Sequence, residues 1–541
     1  MHGRLKVRSP DAARRRQREE KLRLYRSAMA TLLGKEAPPD EVLALTGSVL
    51  TANPDVGTCW NLRRKALPAQ AEDWVQSELA FAGACLAVNP KSYGAWHHRI
   101  WVLARAPPPS PVPGERQLCE RLLGADPRNF HAWEHRRALA DAEDTEAELA
   151  FTAELLARDF SNFSAWHHRG RLLGKLGTGS LRHELELVQN AVFTDPNDQS
   201  AWVYLRCILS QASPPPRILC LYVNREDATL AVIFSRPVLV GSERSALSVT
   251  LNGSAVEGTW RSGEGSSRPS LTWLWDFPSD LCPASSLHFW VTWEPGPAHH
   301  EVTLQADEDE AWWQEPIVVR ELFWPEVGVT DPEVLEELVG TCRELLDLEP
   351  QSRGCLLTLV LLLSALDPLA HEDEIRRCLR ALQEADPLRG GFVADVASRA
   401  EVALGLLRAQ KELGGGGGRL CLPRKALSVL ALPERAALVT ELDVSGNRLG
   451  ALPPNLGALR RLKVLDASHN SIASLRGFPP LPCLEELNLE GNPIALAASL
   501  APLAACPRLS RLALATTPVA ADPQAAPHLA RLLPGVAITL T

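Results

Sequence analysis

Lys91, Arg128 and His131 stand out because they interrupt a regular tandem pattern at positions suited to holding an anion. The pattern has an Asn or Asp seven residues before a Trp, and an Arg three after it. Asn53-Pro leads to Trp60 and Arg63, Asn89-Pro to Trp96 and Arg99, and Asp126-Pro to Trp133 and Arg136. Asp159-Phe leads to Trp166 and Arg169, and Asp195-Pro to Trp202, with Arg206 one residue late. Five residues before each Trp stand Asp55, Lys91, Arg128, Ser161 and Asn197; two before stand Thr58, Gly94, His131, Ser164 and Ser200. Residues that recur in every copy are architecture, whereas residues peculiar to one copy are candidates for function. Only the second and third copies place Lys91, Arg128 and His131 there. They fall at the starts of helices, where free N–H groups and the positive end of the helix dipole attract anions. With a lysine and a histidine added, neighbouring helix N-termini suit a diphosphate leaving group, whose growing negative charge must be neutralised.

Other chemistry is weaker. The pairs His97-His98 and His167-His168 resemble metal ligands, but adjacent helix positions point about 100° apart, and the second histidine recurs as His135. We expect no metal there. Twelve cysteines are scattered without a CxxC pair, which is neither a zinc knuckle nor a disulfide framework. There is no Walker A, nucleophile elbow or zinc triad, so a stand-alone hydrolase or kinase is not expected. Gly414–Gly418 lacks the Lys-Ser/Thr of a phosphate loop.

The elements that must carry these residues follow from the spacing. Successive Trp residues lie 36, 37, 33 and 36 apart, room for two helices and two turns per repeat. The Asp/Asn-Pro step ends one helix and opens the next, with residues such as Asn129, Asn162 and Asp198 as caps. Trp60, Trp96, Trp133, Trp166 and Trp202 should fill the core. The arginine one turn on needs an acid or helix carbonyls from the next repeat. After Ser213-Pro-Pro-Pro-Arg217 the period switches to two. Runs at Ile218–Val223, Ala228–Phe234, Leu247–Leu251, Leu271–Phe277, Leu287–Trp293 and Val302–Leu304 predict an antiparallel, immunoglobulin-like β-sandwich, with Asn252-Gly253 as a hairpin turn. Helical spacing returns from about Pro332 to Leu413. Beyond a Gly linker, Leu442-Asp-Val444-Ser-Gly-Asn447 recurs as Leu465-Asp-Ala467-Ser-His-Asn470 and Leu487-Asn-Leu489-Glu-Gly-Asn492. Weaker copies at Leu420–Leu427 and Leu512–Val519 complete a set of leucine-rich repeats. The fold class is therefore multidomain: an α-α superhelix of helical hairpin repeats with an inserted antiparallel β-sandwich and a C-terminal leucine-rich repeat domain. The expected boundaries are 1–212 (helical repeats), 217–310 (sandwich), 318–413 (helical continuation), 414–418 (linker) and 419–541 (leucine-rich repeats).

Net charge is -9 over 541 residues, which excludes bulk nucleic-acid binding. Residues 1–26 are nonetheless strongly basic, a patch suited to an acidic partner or membrane surface. The longest apolar run, Leu356 to Leu363, is too short to span a bilayer. The amino terminus has no apolar core for a signal peptide, so a cytoplasmic chain with reduced thiols is expected.

The five Trp-x-x-Arg copies resemble the protein prenyltransferase alpha-subunit repeat. The domain order, with sandwich insert and leucine-rich repeats, resembles the type II (Rab) geranylgeranyltransferase alpha subunits of animals over essentially the whole chain. The resemblance implies a crescent of helical hairpins around a prenyltransferase beta subunit that holds the zinc and the lipid cavity. The heterodimer would move geranylgeranyl from geranylgeranyl diphosphate to C-terminal cysteines of Rab GTPases presented by a Rab escort protein, with this chain inactive alone. Lys91-Ser-Tyr93 and Asn129-Phe130-His131 match the family segments that face the beta-subunit active site. There the lysine contacts diphosphate and the tyrosine and histidine line the site. The resemblance thus implies catalytic roles for Lys91, His131 and Tyr93, with Asn129 and Phe130 on the diphosphate side. Phe130 stands where tyrosine is common, which removes a hydroxyl contact. His2, at the tip of the basic arm, is a separate candidate ligand for the partner's zinc. The rival reading is a non-catalytic adaptor built of helical and leucine-rich repeats, in which every domain is a binding surface.

Overall fold

Each Asn/Asp-Pro step closes one helix and fixes the start of the next. The computed structural model describes residues 12–34, 37–67, 74–106, 112–139, 145–172, 181–210, 215–241, 246–256, 258–264, 269–277, 285–294, 299–317, 319–322, 327–329, 331–413, 418–431 and 433–541. In it, the side-chain oxygens of Asn53, Asn89, Asp126, Asp159 and Asp195 each accept the backbone N–H two residues on, at 3.0–3.2 Å. This Asx turn competes with helical bonding and turns the chain. The Trp indoles then donate back to the carbonyls of Pro54, Pro90, Pro127, Phe160 and Pro196, at 2.7–3.0 Å. A buried indole N–H needs such an acceptor, and this return bond explains the fixed spacing of seven. Phe160 serves as well as proline because only its carbonyl is used.

The chain divides into two units, Met1–Ala191 and Val192–Thr541. The first holds α1 (Ala12–Leu33), α2 (Pro39–Ala52), α3 (Gly57–Ala66), α4 (Trp74–Val88), α5 (Tyr93–Leu103), α6 (Val112–Ala125), α7 (Phe130–Leu139), α8 (Thr145–Arg158), α9 (Phe163–Leu172) and most of α10 (Leu181–Thr194). α2 with α3, α4 with α5, α6 with α7 and α8 with α9 pack as hairpins. A buried ionic ladder ties one hairpin to the next. Glu78 on α4 accepts Arg63 of the preceding hairpin at 2.9 Å and meets His98 of its own at 2.8 Å. Glu115 on α6 holds Arg99 at 2.5 and 2.6 Å and His135 at 2.9 Å. Glu148 on α8 holds Arg136 and His168, both at 2.8 Å, and Glu184 on α10 holds Arg169 at 2.7 and 2.6 Å. The acid does come from the next repeat, as expected. The carbonyls that finish the arginines (Leu43, Leu79 and Leu149) come instead from the first helix of the same hairpin.

The second unit begins with the end of α10 and α11 (Gln199–Leu209), then the sandwich: β1 (Ile218–Asn224), β2 (Thr229–Val238), β3 (Leu247–Leu251), β4 (Ser254–Val256), β5 (Trp260–Ser262), β6 (Ser270–Asp276), β7 (Leu287–Trp293), β8 (His299–Leu304) and β9 (Glu310–Gln314). One sheet runs β5-β6-β2-β1-β9 and the other β4-β3-β7-β8. Asn252 and Gly253, at φ 50° and 81°, join β3 to β4 as the expected hairpin turn. Three short strands were not expected from the sequence. Of these, β9 pairs with β1 from Gln314 to Glu310 and carries the sandwich beyond the boundary set at 310. Its Ala-Trp-Trp core is too short to show alternation.

Helices α12 (Val319–Leu322), α13 (Pro332–Leu348), α14 (Arg353–Leu366), α15 (Glu372–Ala385) and α16 (Gly390–Leu413) follow. The α13–α14 hairpin is a further copy of the repeat with Leu356 in the Trp place. Its cap Ser352 donates to Pro196 O at 3.0 Å, as Ser92 donates to Pro54 O at 2.9 Å in the first unit. Gly354, two before Leu356, lies against Trp202 as Gly94 lies against Trp60.

The leucine-rich repeats form one parallel sheet, β10 (Arg419–Cys421), β11 (Glu441–Asp443), β12 (Val464–Asp466), β13 (Glu486–Asn488), β14 (Arg511–Ala513) and β15 (Ala537–Thr539), with α17 (Ala525–Leu532) before the last strand. The last strand belongs to a turn without the Leu/Asn signature. Asn447, Asn470 and Asn492 behave alike. Asn470, for one, accepts Leu449 N–H and donates to the carbonyls of Val444, Ala467 and Ser468.

The Gly linker does not release this domain: Leu420 and Leu422 lie on α16 at Gly405. All seven residues of β1 are buried, because one face fills the sandwich while Cys220 and Tyr222 join the leucine-rich core. Glu310 pairs with Arg461 across the same junction, and Arg461 covers the Trp312 ring at 4.0 Å.

Candidate functional site

Helix starts bring the sequence candidates together. Ser92 caps α5 and Asn129 caps α7 by accepting backbone N–H groups of the first turn. Tyr93 and Phe130 are therefore the first residues of adjacent second helices. Their ring centroids lie 5.8 Å apart, with Tyr93 70% and Phe130 50% exposed. Lys91, in the Asx turn that precedes Tyr93, is also half exposed. Lys91, Tyr93, Phe130 and His131 thus form one surface cluster of a cation, a phenol and two supporting rings.

His131 sits beneath this surface, only 6% exposed. Its ring stacks on Trp96 at 6.5 Å and 14°, meets Tyr93 edge-on at 4.3 Å and touches Phe130 at 3.9 Å. This follows from the repeat: the residue two before a Trp lies on the Trp of the preceding hairpin, where the second copy has Gly94. Burial pushes the His131 pKa below its ordinary value, while Glu134 and a backbone hydrogen bond at Lys91 pull the other way. Its buried Nε2 has no partner. The other buried histidines, His98, His135 and His168, spend Nε2 on the glutamate ladder.

Lys91 Nζ reaches Asp126 of the next copy at 2.7 Å. Its hydrogen bond leads the causes that hold the Asp126 carboxyl below the usual range. Arg128 approaches Asp159 one copy further on, at 3.8 Å. In the first three copies the residue five before Trp therefore faces the next Asn/Asp turn, Asp55 facing Asn89 in the same way, at 2.9 Å.

Asn129 departs from its expected place on the diphosphate side. It is fully buried, its oxygen capping α7 and its Nδ2 donating to Pro90 O at 3.0 Å. It positions Phe130 and His131 and presents nothing to a ligand. His2 lies outside the described residues. His97 of the first His pair meets Arg64 at 3.2 Å. Among the described residues, no three His, Cys, Asp or Glu side chains gather as a metal site, and no helix is long and apolar enough to cross a membrane.

Sequence reasoning missed Asp126 as the resting partner of Lys91, and it missed Glu78, Glu115, Glu148 and Glu184. The signal for the glutamates was present: they follow the repeat arginines by 15, 16, 12 and 15 residues.

Comparison with known proteins agrees with this architecture. Residues 218–317 match the family described as "Rab geranylgeranyl transferase alpha-subunit, insert domain". Residues 75–106, 112–142, 145–176 and 181–212 match the "Protein prenyltransferase alpha subunit repeat", and 437–494 match "Leucine rich repeat". The chain is 43% identical to a Sus scrofa protein named geranylgeranyl transferase type-2 subunit alpha, over all of both chains, and 42% identical to the Homo sapiens protein of the same name, again over all of both. A solved structure titled "Candida albicans protein geranylgeranyltransferase-I complexed with GGPP" is 25% identical over 34% of this chain and 66% of that one, with a TM-score of 0.31. Full-length identity at this level, together with the repeats and the insert, places the chain in the geranylgeranyl transferase type-2 alpha-subunit family.

Proposed function

We propose that this chain is the alpha subunit of a cytoplasmic heterodimer that transfers geranylgeranyl from geranylgeranyl diphosphate to C-terminal cysteines of Rab GTPases presented by a Rab escort protein. It scaffolds a prenyltransferase beta subunit and is inactive alone. The observation that carries this reading is the cluster of Lys91, Tyr93, Phe130 and His131 at the starts of α5 and α7, in a family of prenyltransferase subunits.

In the reaction, the cysteine sulfur attacks C1 of the lipid, the C–O bond breaks, and its electron pair leaves on the diphosphate. Zinc in the beta subunit supplies a cysteine thiolate at neutral pH. This chain acts on the leaving group. The Lys91 ammonium exchanges its single carboxylate partner, Asp126, for the greater charge of the diphosphate. The exposed Tyr93 hydroxyl donates to it. His131 acts as a positioning residue, holding the Tyr93 and Phe130 rings between Trp96 and the surface. Such preorganised groups act where charge develops.

The test is co-expression with a type II beta subunit, followed by labelling of Rab with radioactive geranylgeranyl diphosphate in the presence of escort protein. Lys91→Ala should slow turnover about 10²-fold, the usual cost of removing one charge-stabilising donor. Unchanged turnover would remove the diphosphate site but keep the subunit. Failure to form any heterodimer would favour the adaptor.

A further inference from the structure

A cavity of about 860 Å³ lies in the second unit, between the β5–β6 end of the sandwich and the leucine-rich domain. Its walls are mixed: Asp227, Thr229, Arg261 and Ser262 line it beside apolar groups. Pro480, Pro482 and Pro507 line one side and lack N–H donors. Trp260 and Trp273 line the other, with indole N–H groups already given to Leu247 O at 3.0 Å and Val238 O at 3.1 Å. Both rings are therefore fixed and offer only apolar faces.

Arg460 differs from the other lining groups in having an unmet bond. It lines the cavity, is 7% exposed, and its buried Nε has no partner. A buried guanidinium without a counter-charge is costly. The neighbouring charges are engaged elsewhere: Arg261 holds Asp276 through two bonds, at 2.8 and 3.0 Å, and Asp227 faces Arg508 at 3.7 Å. No described carboxylate pairs with Arg460, although Tyr222 and Asp227 lie within its field. Beside it, β5 is the edge strand of its sheet, so its outer backbone groups are open to another strand.

We propose that this cavity binds the free carboxylate end of an extended peptide. The carboxylate pairs with Arg460, apolar side chains rest on Trp260 and Trp273, and the backbone runs along β5. A guanidinium takes a carboxylate in a two-bond fork, and the fixed rings and open strand edge suit a peptide better than a bare anion. The exposed Leu239 stands at the rim. The site is separate from the Lys91 cluster and serves recruitment of a partner chain.

The full chain, in complex with its beta subunit, would be applied to an array of randomised tetrapeptides made once with free carboxy termini and once as amides. Inorganic phosphate would serve as a soluble competitor. We expect a subset of acids to bind at least tenfold better than their amides, with phosphate displacing them poorly. Arg460→Met should remove the difference, Arg460→Lys should keep part of it, and Leu239→Glu at the rim should weaken binding by repulsion without touching the buried core. Equal binding of acids and amides, no binding of either, indifference to all three substitutions, or full displacement by millimolar phosphate would each overturn the proposal.

Discussion

Glu115→Gln isolates the worth of the ionic ladder in one nearly isosteric change. The carboxylate is almost fully buried and accepts three bonds, two from Arg99 and one from His135. Glutamine keeps the shape but removes the charge and turns an NH2 toward the arginine. Arg99 is then left buried without a counter-charge, with Leu79 O and a single neutral amide oxygen as acceptors. Removing one partner of a buried pair costs about 3–5 kcal/mol. For a unit of this size, each 1 kcal/mol lowers Tm by about 2–4 °C, so a drop of roughly 6–20 °C is expected. Glu154→Gln in the same unit is the internal control. Its contact with Arg158 is 3.9 Å long, with both side chains mostly in water, and its loss should cost less than about 0.5 kcal/mol. Urea unfolding followed by helical circular dichroism reads both. The reasoning also predicts recovery: Arg99→Leu, Glu115→Leu and His135→Leu together should be far less harmful than Glu115→Gln, because no stranded charge remains. Equal small effects of Glu115→Gln and Glu154→Gln, or a triple variant worse than the single one, would refute the ladder as described.

Four further outcomes are expected. Asp126→Asn should free Lys91 without harming the fold and lower the KM for geranylgeranyl diphosphate, read in steady-state labelling; a higher KM would count against Lys91 as the diphosphate contact. Gly354→Ala should destabilise by about 1–3 kcal/mol, since its Cβ would stand 2.3 Å from the Trp202 ring; urea midpoints test this. Asn470→Ala should cost about 1–3 kcal/mol or more by orphaning buried backbone groups, seen as early exchange of the Leu449 amide. Stability should also fall with acid in two stages. His98 has its pKa lowered mainly by burial, so the unfolded chain binds its proton first and stability drops as pH falls below about 6.5. Burial alone would raise the Glu78, Glu115 and Glu148 carboxyls, but their histidine and arginine partners outweigh it and hold them low. Their stabilisation, present above the unfolded carboxylate pKa, is lost as pH falls through the folded one. His98→Gln should flatten the first stage in urea titrations at pH 7 to 5.

The repeat helices were legible because an Asx turn and a Trp reaching back to the turn carbonyl coincide in each copy, joined by a side-chain cap in all but the first, where Val56 stands. The α13–α14 copy escaped notice because Leu356 stands where Trp was sought, although Ser352 and Gly354 keep the turn chemistry. Strands β4, β5 and β9 were missed for another reason. Three to five residues cannot display a period of two, and their place is set by neighbours far along the chain, as when β9 pairs with β1. The burial of β1 on both faces was equally invisible, because nothing local announces that a leucine-rich core will cover Cys220 and Tyr222. At the site, Lys91 and His131 stood out because each departs from its own repeat, whereas Tyr93 and Phe130, whose place holds Phe163 in the fourth copy, came from the family resemblance. Asn129 was misplaced because a capping asparagine and a ligand-binding one look alike until burial separates them.

The same logic separates His131 from the other buried histidines. His98, His135 and His168 each follow a Trp by two and give Nε2 to a glutamate, so each is a rung of the ladder. His131 precedes its Trp by two and lies on the Trp of the hairpin before. A glycine fills that place in the second copy and serines in the fourth and fifth, so packing does not demand an imidazole there. What the ring adds is a firm base for Tyr93 and an unpartnered Nε2 beneath an exposed phenol and an ammonium. His131→Phe should preserve the base and remove the nitrogen, whereas His131→Ala should remove both. If His131 only positions, the phenylalanine variant keeps kcat within a few-fold and the alanine variant loses it. Comparable losses in both would show instead that the nitrogen itself reaches the leaving group once the beta subunit is bound.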